Sequence, residues 1–176
     1  MTAHWLLKAL ADAGKPDQVL ARLTDQTGAG WAKILAQGGT FTWESWTAPA
    51  EGNSESHGWG AQAVVDIIES LLGLKITAPG ASAIQIAPPA TGLTFANGTV
   101  HTERGDVQID WQRQTNGGLP LDVTIPVNVA ATVVLPISKP LNTSASGAGQ
   151  PTFVAEDTAQ ATYSVGSGKS SFAVAG

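Results

Sequence analysis

One short segment of the chain brings a carboxylate close to several aromatic rings. Glu44 lies between Trp43 and Trp46, and His57 and Trp59 follow a little further along. Indole faces pack on the apolar C–H faces of sugar rings. A carboxylate and an imidazole hydrogen-bond hydroxyls, or move protons while a glycosidic bond is cleaved. The segment therefore predicts a sugar site, with Glu44 as the catalytic candidate and the other four residues as candidate sugar contacts.

Each candidate also has an ordinary structural role. Most glutamates are solvated surface residues, and an imidazole at the start of a helix often only packs there. For any single tryptophan, packing in the core is the more frequent role. We expect the indoles to remove water from the Glu44 carboxylate, with Glu51 and Glu55 as weaker alternatives on the same loop. If Glu44 and the indoles face separate environments, a module without any carbohydrate role remains open.

The other reactive groups of the chain are weaker candidates for a functional site. His4 and His101 lack comparable neighbours, and we place neither in the site. No spacing typical of zinc or calcium ligands occurs, and the chain has no cysteine, so we expect no metal and no cofactor. Ser54 and Ser56 lie near His57, but the chain has neither a Gly-x-Ser-x-Gly elbow nor a phosphate-binding glycine motif, which argues against esterases and nucleotide-binding proteins.

Composition narrows the set of partners. The 176 residues include nine Lys and Arg against fourteen Asp and Glu, for a net charge of −5, and no two basic residues are adjacent. Nucleic acid and anionic membranes attract clustered positive charge, so neither is an expected partner. The sequence has no apolar run of about 20 residues and no signal-peptide pattern at its start. We expect a soluble protein and leave its compartment open.

The first part of the chain has helical periodicity. It predicts a hairpin of two helices, over residues 3–13 and from Pro16 onward, and a third helix that begins near Trp31 and stops at Gly38. A fourth and strongest helix is predicted from about 57 to 74, capped by Ser54 or Ser56 and ended by Gly73. Residues 38–56 form a long polar connection of the kind that carries function. Trp5, Trp31 and Trp111 fit amphipathic patterns, and we assign them to the core.

The second part alternates apolar and polar residues with a period of two. This predicts antiparallel strands over 107–111, 119–125 and 129–135 and closing strands between 153 and 174. Turns are expected at Asn97-Gly98, 104–106 and 116–118, and a flexible loop at 142–150. The predicted fold class is α+β, with helices over residues 1–75 and a β-sandwich over 76–176.

The order of these features resembles a known family. The markers are the segments 42–46, 54–61, 104–111 and 123–136. Together they resemble the C-terminal part of bacterial and fungal α-L-rhamnosidases of glycoside hydrolase family 78. The resemblance covers most of the chain. It implies the closing helices of an (α/α)6 barrel followed by an antiparallel β-sandwich.

The resemblance also implies roles for particular residues. Glu44 matches the general base of an inverting enzyme that removes terminal α-L-rhamnose, and His57 matches a sugar-binding histidine. The general acid of the family lies in an acidic stretch that this sequence lacks. The alternative is therefore a non-catalytic carbohydrate-binding or structural fragment. A rhamnoside is the expected substrate, and the remaining barrel helices, or a second copy of the chain, are the expected protein partners.

Overall fold

The chain folds into two compact units. The computed structural model describes residues 2–139 and 142–176 and divides the chain into Met1–Leu71 and Leu72–Gly176. The sequence predicts a boundary after residue 75, whereas the first strand of the second unit already begins at Leu74. None of the helices in the described residues has the length and apolar composition needed to cross a bilayer.

The first unit is helical, as its periodicity predicts. Its helices are α1 (Thr2–Asp12), α2 (Pro16–Leu23), α3 (Trp31–Ala36), α4 (Ala48–Glu51), a 3₁₀ helix (Gly58–Ala61) and α5 (Gln62–Ile67), which continues as a π-helical turn (Ile68–Leu72). α1 packs against α2 and α5. In α2, Pro16 lies in the first turn and Arg22 in the last, which suits the geometry and dipole of a helix. The predicted hairpin of α1 and α2 is therefore confirmed.

The predicted fourth helix differs from the structure. It is divided into a 3₁₀ helix, α5 and a π-helical turn, and it ends at Gly73, whose φ of 91° suits a residue without a side chain. Neither Ser54 nor Ser56 caps it, because the N-cap residue is His57 and no side chain makes a capping bond there. Its buried face includes Asp66, which is 3% exposed, while Val64 is 57% exposed.

The second unit contains two five-stranded sheets. The strands are β1 (Leu74–Ile76), β2 (Ala83–Ile86), β3 (Phe95–Thr102), β4 (Gly105–Gln112), β5 (Leu119–Ile125), β6 (Ala130–Pro136), β7 (Thr143–Gly147), β8 (Thr152–Glu156), β9 (Gln160–Val165) and β10 (Gly168–Val174). One sheet has the order β1-β2-β6-β9-β8 and the other β3-β4-β5-β10-β7. Alternate residues of the central strands are buried, as the period of two predicts. Pairing is antiparallel except between β2 and β6.

Three predictions about local structure are wrong. Asn97-Gly98 lies inside β3 and not in a turn, because it pairs with β4. Most of the segment 142–150 is not a flexible loop, since β7 pairs with β10. Trp5 is 62% exposed instead of being in the core, whereas Trp111 is fully buried as predicted and its indole N–H donates to the Leu72 carbonyl at 3.2 Å.

Candidate functional site

A cavity in the helical unit contains most of the predicted site residues. Its volume is about 280 Å³, and it is lined by Ala3, His4, Trp31, Ile34, Trp43, Glu44, Ser45, Trp46, Trp59, Gly60 and Gln62. Glu44 thus shares one cavity with all three indoles predicted to contact a sugar. His57 is not among the lining residues.

The aromatic wall is part of the packed interior of this unit. Trp43 is 6% exposed and forms a small core cluster with Ile34 and Ala48, against which Trp31 and Trp46 pack. The rings of Trp31 and Trp46 meet edge to face, with centroids 5.0 Å apart, which is a favourable aromatic geometry. Trp43 therefore belongs both to the core and to the cavity wall. Trp31, predicted to be in the core, is half-buried and also lines the cavity.

Glu44 is held in place by reciprocal hydrogen bonds to Ser54. The backbone N–H of Glu44 donates to the Ser54 carbonyl at 2.9 Å, and the Ser54 N–H donates to Oε2 of Glu44 at 2.9 Å. These bonds connect the two sides of the 38–56 loop and fix the direction of the carboxylate. The side chain is exposed, so the expected removal of water by the indoles is not found in this chain.

His57 packs against Trp59. Its backbone N–H donates to the Thr42 carbonyl at 2.7 Å, and the Thr42 hydroxyl donates to the His57 carbonyl at 2.6 Å. The imidazole is half-buried and meets the Trp59 ring edge to face, with centroids 5.1 Å apart. The position of His57 lets it orient Trp59, which does line the cavity.

The sequence analysis missed His4. This side chain lines the cavity, and its Nδ1 lies 3.1 Å from Oδ1 and 3.3 Å from Oδ2 of Asp66. Burial raises the pKa of Asp66, and the nearby His4 opposes this rise. The sequence did contain a signal for this pair. Asp66 lies within the strongest apolar helix pattern, and a charge that is buried there requires a partner.

The alternative carboxylates lie outside the cavity lining. Glu51 accepts hydrogen bonds from Ser45 at 3.1 Å and Asn53 at 2.9 Å. Its pKa is lowered, chiefly by a hydrogen bond from Thr47. Glu55 is exposed. Among the described residues, no group of three or more His, Cys, Asp or Glu side chains is placed to hold a metal ion.

A larger concavity lies on the sheet of the second unit. Its volume is about 560 Å³, and its lining comes from β3, β4, β5 and β10. The lining includes polar residues such as Gln108 and Asp110 but no aromatic side chain among the described residues. Without a flat ring to stack on a sugar, this surface fits the predicted chemistry less well than the cavity of the helical unit.

Two protein-family models match the chain in sequence order. The bacterial alpha-L-rhamnosidase six-hairpin glycosidase domain matches residues 1–68, and the bacterial alpha-L-rhamnosidase C-terminal domain matches residues 73–149. The junction between the two matches lies close to the division between the two compact units.

Individual relatives agree with these matches. An α-L-rhamnosidase of Alteromonas sp. (strain LOR) is 32% identical over 74% of this chain and 15% of its own length. The structure of Streptomyces avermitilis α-L-rhamnosidase complexed with L-rhamnose matches 96% of this chain and 17% of that chain, with 28% identity and a TM-score of 0.83. The α-L-rhamnosidase from Dictyoglumus thermophilum shares the fold with a TM-score of 0.86 at 20% identity, over 100% of this chain and 21% of that one.

The family matches and the fold define a class of proteins in which a helical glycosidase domain is followed by a C-terminal β-sandwich. The predicted α+β fold class is therefore confirmed. Within that class, the chain belongs to the α-L-rhamnosidases of glycoside hydrolase family 78 and corresponds to their C-terminal part. It spans only 15–17% of the length of the Alteromonas and Streptomyces relatives.

Proposed function

We propose that this chain forms one wall of the active site of an inverting α-L-rhamnosidase, in which Glu44 is the general base. The indoles of Trp43, Trp46 and Trp59 would contact the sugar. His57 would hold Trp59 in position through the edge-to-face contact between the two rings. The observation that carries the proposal is the shared cavity of Glu44 and the three indoles. The relative from S. avermitilis, solved with L-rhamnose, supports rhamnose as the sugar class.

The geometry of Glu44 suits the removal of a proton from water. The Ser54 N–H binds Oε2, and Oε1 has no hydrogen-bond partner among the described residues. In an inverting mechanism, one carboxylate deprotonates a water on the face of the sugar opposite the leaving oxygen, while a carboxylic acid protonates that oxygen. The free oxygen of an anchored carboxylate can accept the proton from such a water.

The interior of the wall also contains an unpaired hydrogen-bond donor. The indole nitrogen of Trp43 is buried and has no partner among the described residues. Leaving a buried donor unpaired costs about 1–3 kcal/mol. Because the nitrogen itself is buried, a sugar hydroxyl cannot reach it, and we assign it no role in sugar binding.

Catalysis requires a second carboxyl group. Among the described residues that line the cavity, Glu44 is the single carboxylate. An inverting site places its acid roughly 6.5–9.5 Å from the base. We therefore assign the acid to a part of the complete enzyme outside this chain.

The test is Glu44→Gln in a complete rhamnosidase that contains this sequence. Glutamine keeps the size and the bond to Ser54 but cannot take up a proton, so we expect kcat to fall by about 10²–10⁴-fold. Glu55→Gln, on the same loop but outside the cavity lining, is the matched control and should leave kcat unchanged. Near-normal turnover of the Glu44 variant with a folded protein would remove Glu44 from the role of base.

The single carboxylate of the cavity also favours a second candidate for the isolated chain, a sugar-binding wall without catalysis. L-rhamnose should then change the tryptophan fluorescence of the purified 176-residue protein, while an aryl rhamnoside stays uncleaved. Hydrolysis by this protein alone, abolished by Glu44→Gln, would contradict this candidate and place the acid within the chain.

A further inference from the structure

Two ionisable groups of the helical unit form a pair that the proposed mechanism does not use. Asp66 of α5 is 3% exposed, and the hydrogen bonds that its carboxylate makes among the described residues are with Nδ1 of His4 on α1. The side chain of His4 is 21% exposed and lines the cavity that contains Glu44. The pair thus connects a buried carboxylate to the cavity wall.

The chemistry of the pair fixes the ring of His4. A carboxylate with a bound imidazole accepts the N–H of Nδ1, which sets the tautomer and the orientation of the ring. The other nitrogen, Nε2, has no hydrogen-bond partner among the described residues. Nε2 is an acceptor when the ring is neutral and a donor when the ring is charged.

We propose that Asp66 orients His4 so that Nε2 hydrogen-bonds one hydroxyl of the sugar bound in the cavity. This inference rests on the proposed function of the cavity. A hydroxyl both donates and accepts, so it can pair with Nε2 in either protonation state of the ring. His4 is then a sugar contact that selects for a hydroxyl at one ring position, and Asp66 is its positioning residue.

Packing alone gives a weaker account of the pair. An apolar side chain at position 66 would avoid the cost of burying a carboxylate, and such replacements in cores are often neutral or stabilising. The charged neighbours of Asp66 besides His4 are Lys8 and Glu69, which have opposite signs. The attraction of Lys8 for the Asp66 carboxylate and the repulsion by Glu69 therefore oppose each other. Together they do not explain why a carboxylate occupies this position.

The experiment measures the affinity of the 176-residue protein for L-rhamnose and for its monodeoxy derivatives by tryptophan fluorescence. The native protein should bind one derivative about tenfold more weakly, which corresponds to about 1.4 kcal/mol. His4→Ala should bind L-rhamnose about tenfold more weakly and should no longer distinguish that derivative from L-rhamnose. Asp66→Asn should show a smaller loss, since its amide oxygen still accepts from Nδ1.

Two further variants show whether a loss of sugar discrimination comes from a lost His4 contact or from a folding defect. The double variant His4→Leu with Asp66→Leu removes both polar partners, which is often nearly neutral for stability, and it should fold yet lack the same discrimination. His101→Ala is the matched control, because it removes a His–Asp pair, His101 with Asp106 at 2.7 Å, on the second unit. It should bind all the sugars like the native protein.

The outcomes distinguish this inference from the proposed function. If the native protein binds L-rhamnose but the His4 variants keep its discrimination, or lose affinity equally for all the sugars, then His4 makes no hydroxyl contact. If the native protein binds no L-rhamnose, the sugar-binding wall proposed for the isolated chain fails and the role of His4 fails with it, whereas the role of Glu44 in a complete enzyme is tested separately by Glu44→Gln.

Discussion

The three indoles of the cavity wall differ in how far each is free to act on a ligand. Trp43 is 6% exposed and belongs to the core, so its replacement would disturb folding as well as binding. Trp46 packs against the same cluster. Trp59 is 62% exposed while it lines the cavity. Trp59 is therefore the indole whose contribution to sugar binding can be measured with the least effect on stability.

We predict that Trp59→Ala weakens L-rhamnose binding by about tenfold with little change in thermal stability. Aromatic contacts contribute about 0.5–1.5 kcal/mol beyond their buried area, which is up to about tenfold in affinity. Phe95→Ala is the control, because Phe95 is a similarly exposed aromatic residue, 59% exposed, that lies on the second unit and outside the cavity lining. Isothermal titration of both variants checks the prediction, and equal affinities would exclude Trp59 from the sugar site.

At the scale of elements, the cavity depends on a close approach between the 38–56 loop and the 3₁₀ helix Gly58–Ala61. The Trp31 indole N–H donates to the Gly60 carbonyl at 2.8 Å. A Cβ on Gly60 would lie 2.3 Å from Cβ of Thr42. Thr42 precedes Trp43 and Glu44, so the absence of a side chain at position 60 lets the wall and the candidate base come together.

We predict that Gly60→Ala lowers the free energy of unfolding of the helical unit by about 1–3 kcal/mol, as overpacking does, and weakens sugar binding. Gly58→Ala in the same 3₁₀ helix is the control, since a Cβ there meets nothing within 4 Å. That control should be neutral or slightly stabilising, because alanine reduces the entropy of the unfolded chain. Denaturant unfolding checks this, and identical effects at both positions would refute the close-approach argument.

The elements were predictable where one periodicity dominated. α1 and α2 followed from apolar spacing and Pro16, and β4 and β5 from strict alternation. The predicted helix over 57–74 failed in detail, because Val64 and Ile67 carry an apolar pattern while Asp66 occupies the buried face. β7 was missed because a Ser- and Gly-rich composition does not reveal pairing with β10, which is a long-range contact.

The candidate site was predictable only in part. Glu44 and the indoles lie within one short stretch of sequence, so local reasoning could group them. His4 and Asp66 are 62 residues apart, and no local pattern connects them. Their pairing depends on the packing of α1 against α5, which only the folded chain reveals.

At the scale of the whole molecule, the helical unit carries large apolar side chains that face solvent. Leu35 is 73% exposed, Val64 57% and Ile67 44%. Exposed apolar clusters on proteins commonly mark interaction surfaces. The chain spans only 15–17% of its Alteromonas and Streptomyces relatives, so we propose that the remaining helices of a complete enzyme cover these side chains.

We predict that the isolated chain self-associates through its helical unit. Light scattering coupled to size exclusion should give a mass that rises with concentration, because two copies can bury the apolar side chains of each other. The triple variant Leu35→Lys, Val64→Lys and Ile67→Lys should remain monomeric over the same range. The control changes Phe95 and Val127 of the second unit, 59% and 71% exposed, to Lys and should still associate. A monomeric native chain, or association abolished only by the control changes, would contradict the assignment of the interface to the helical unit.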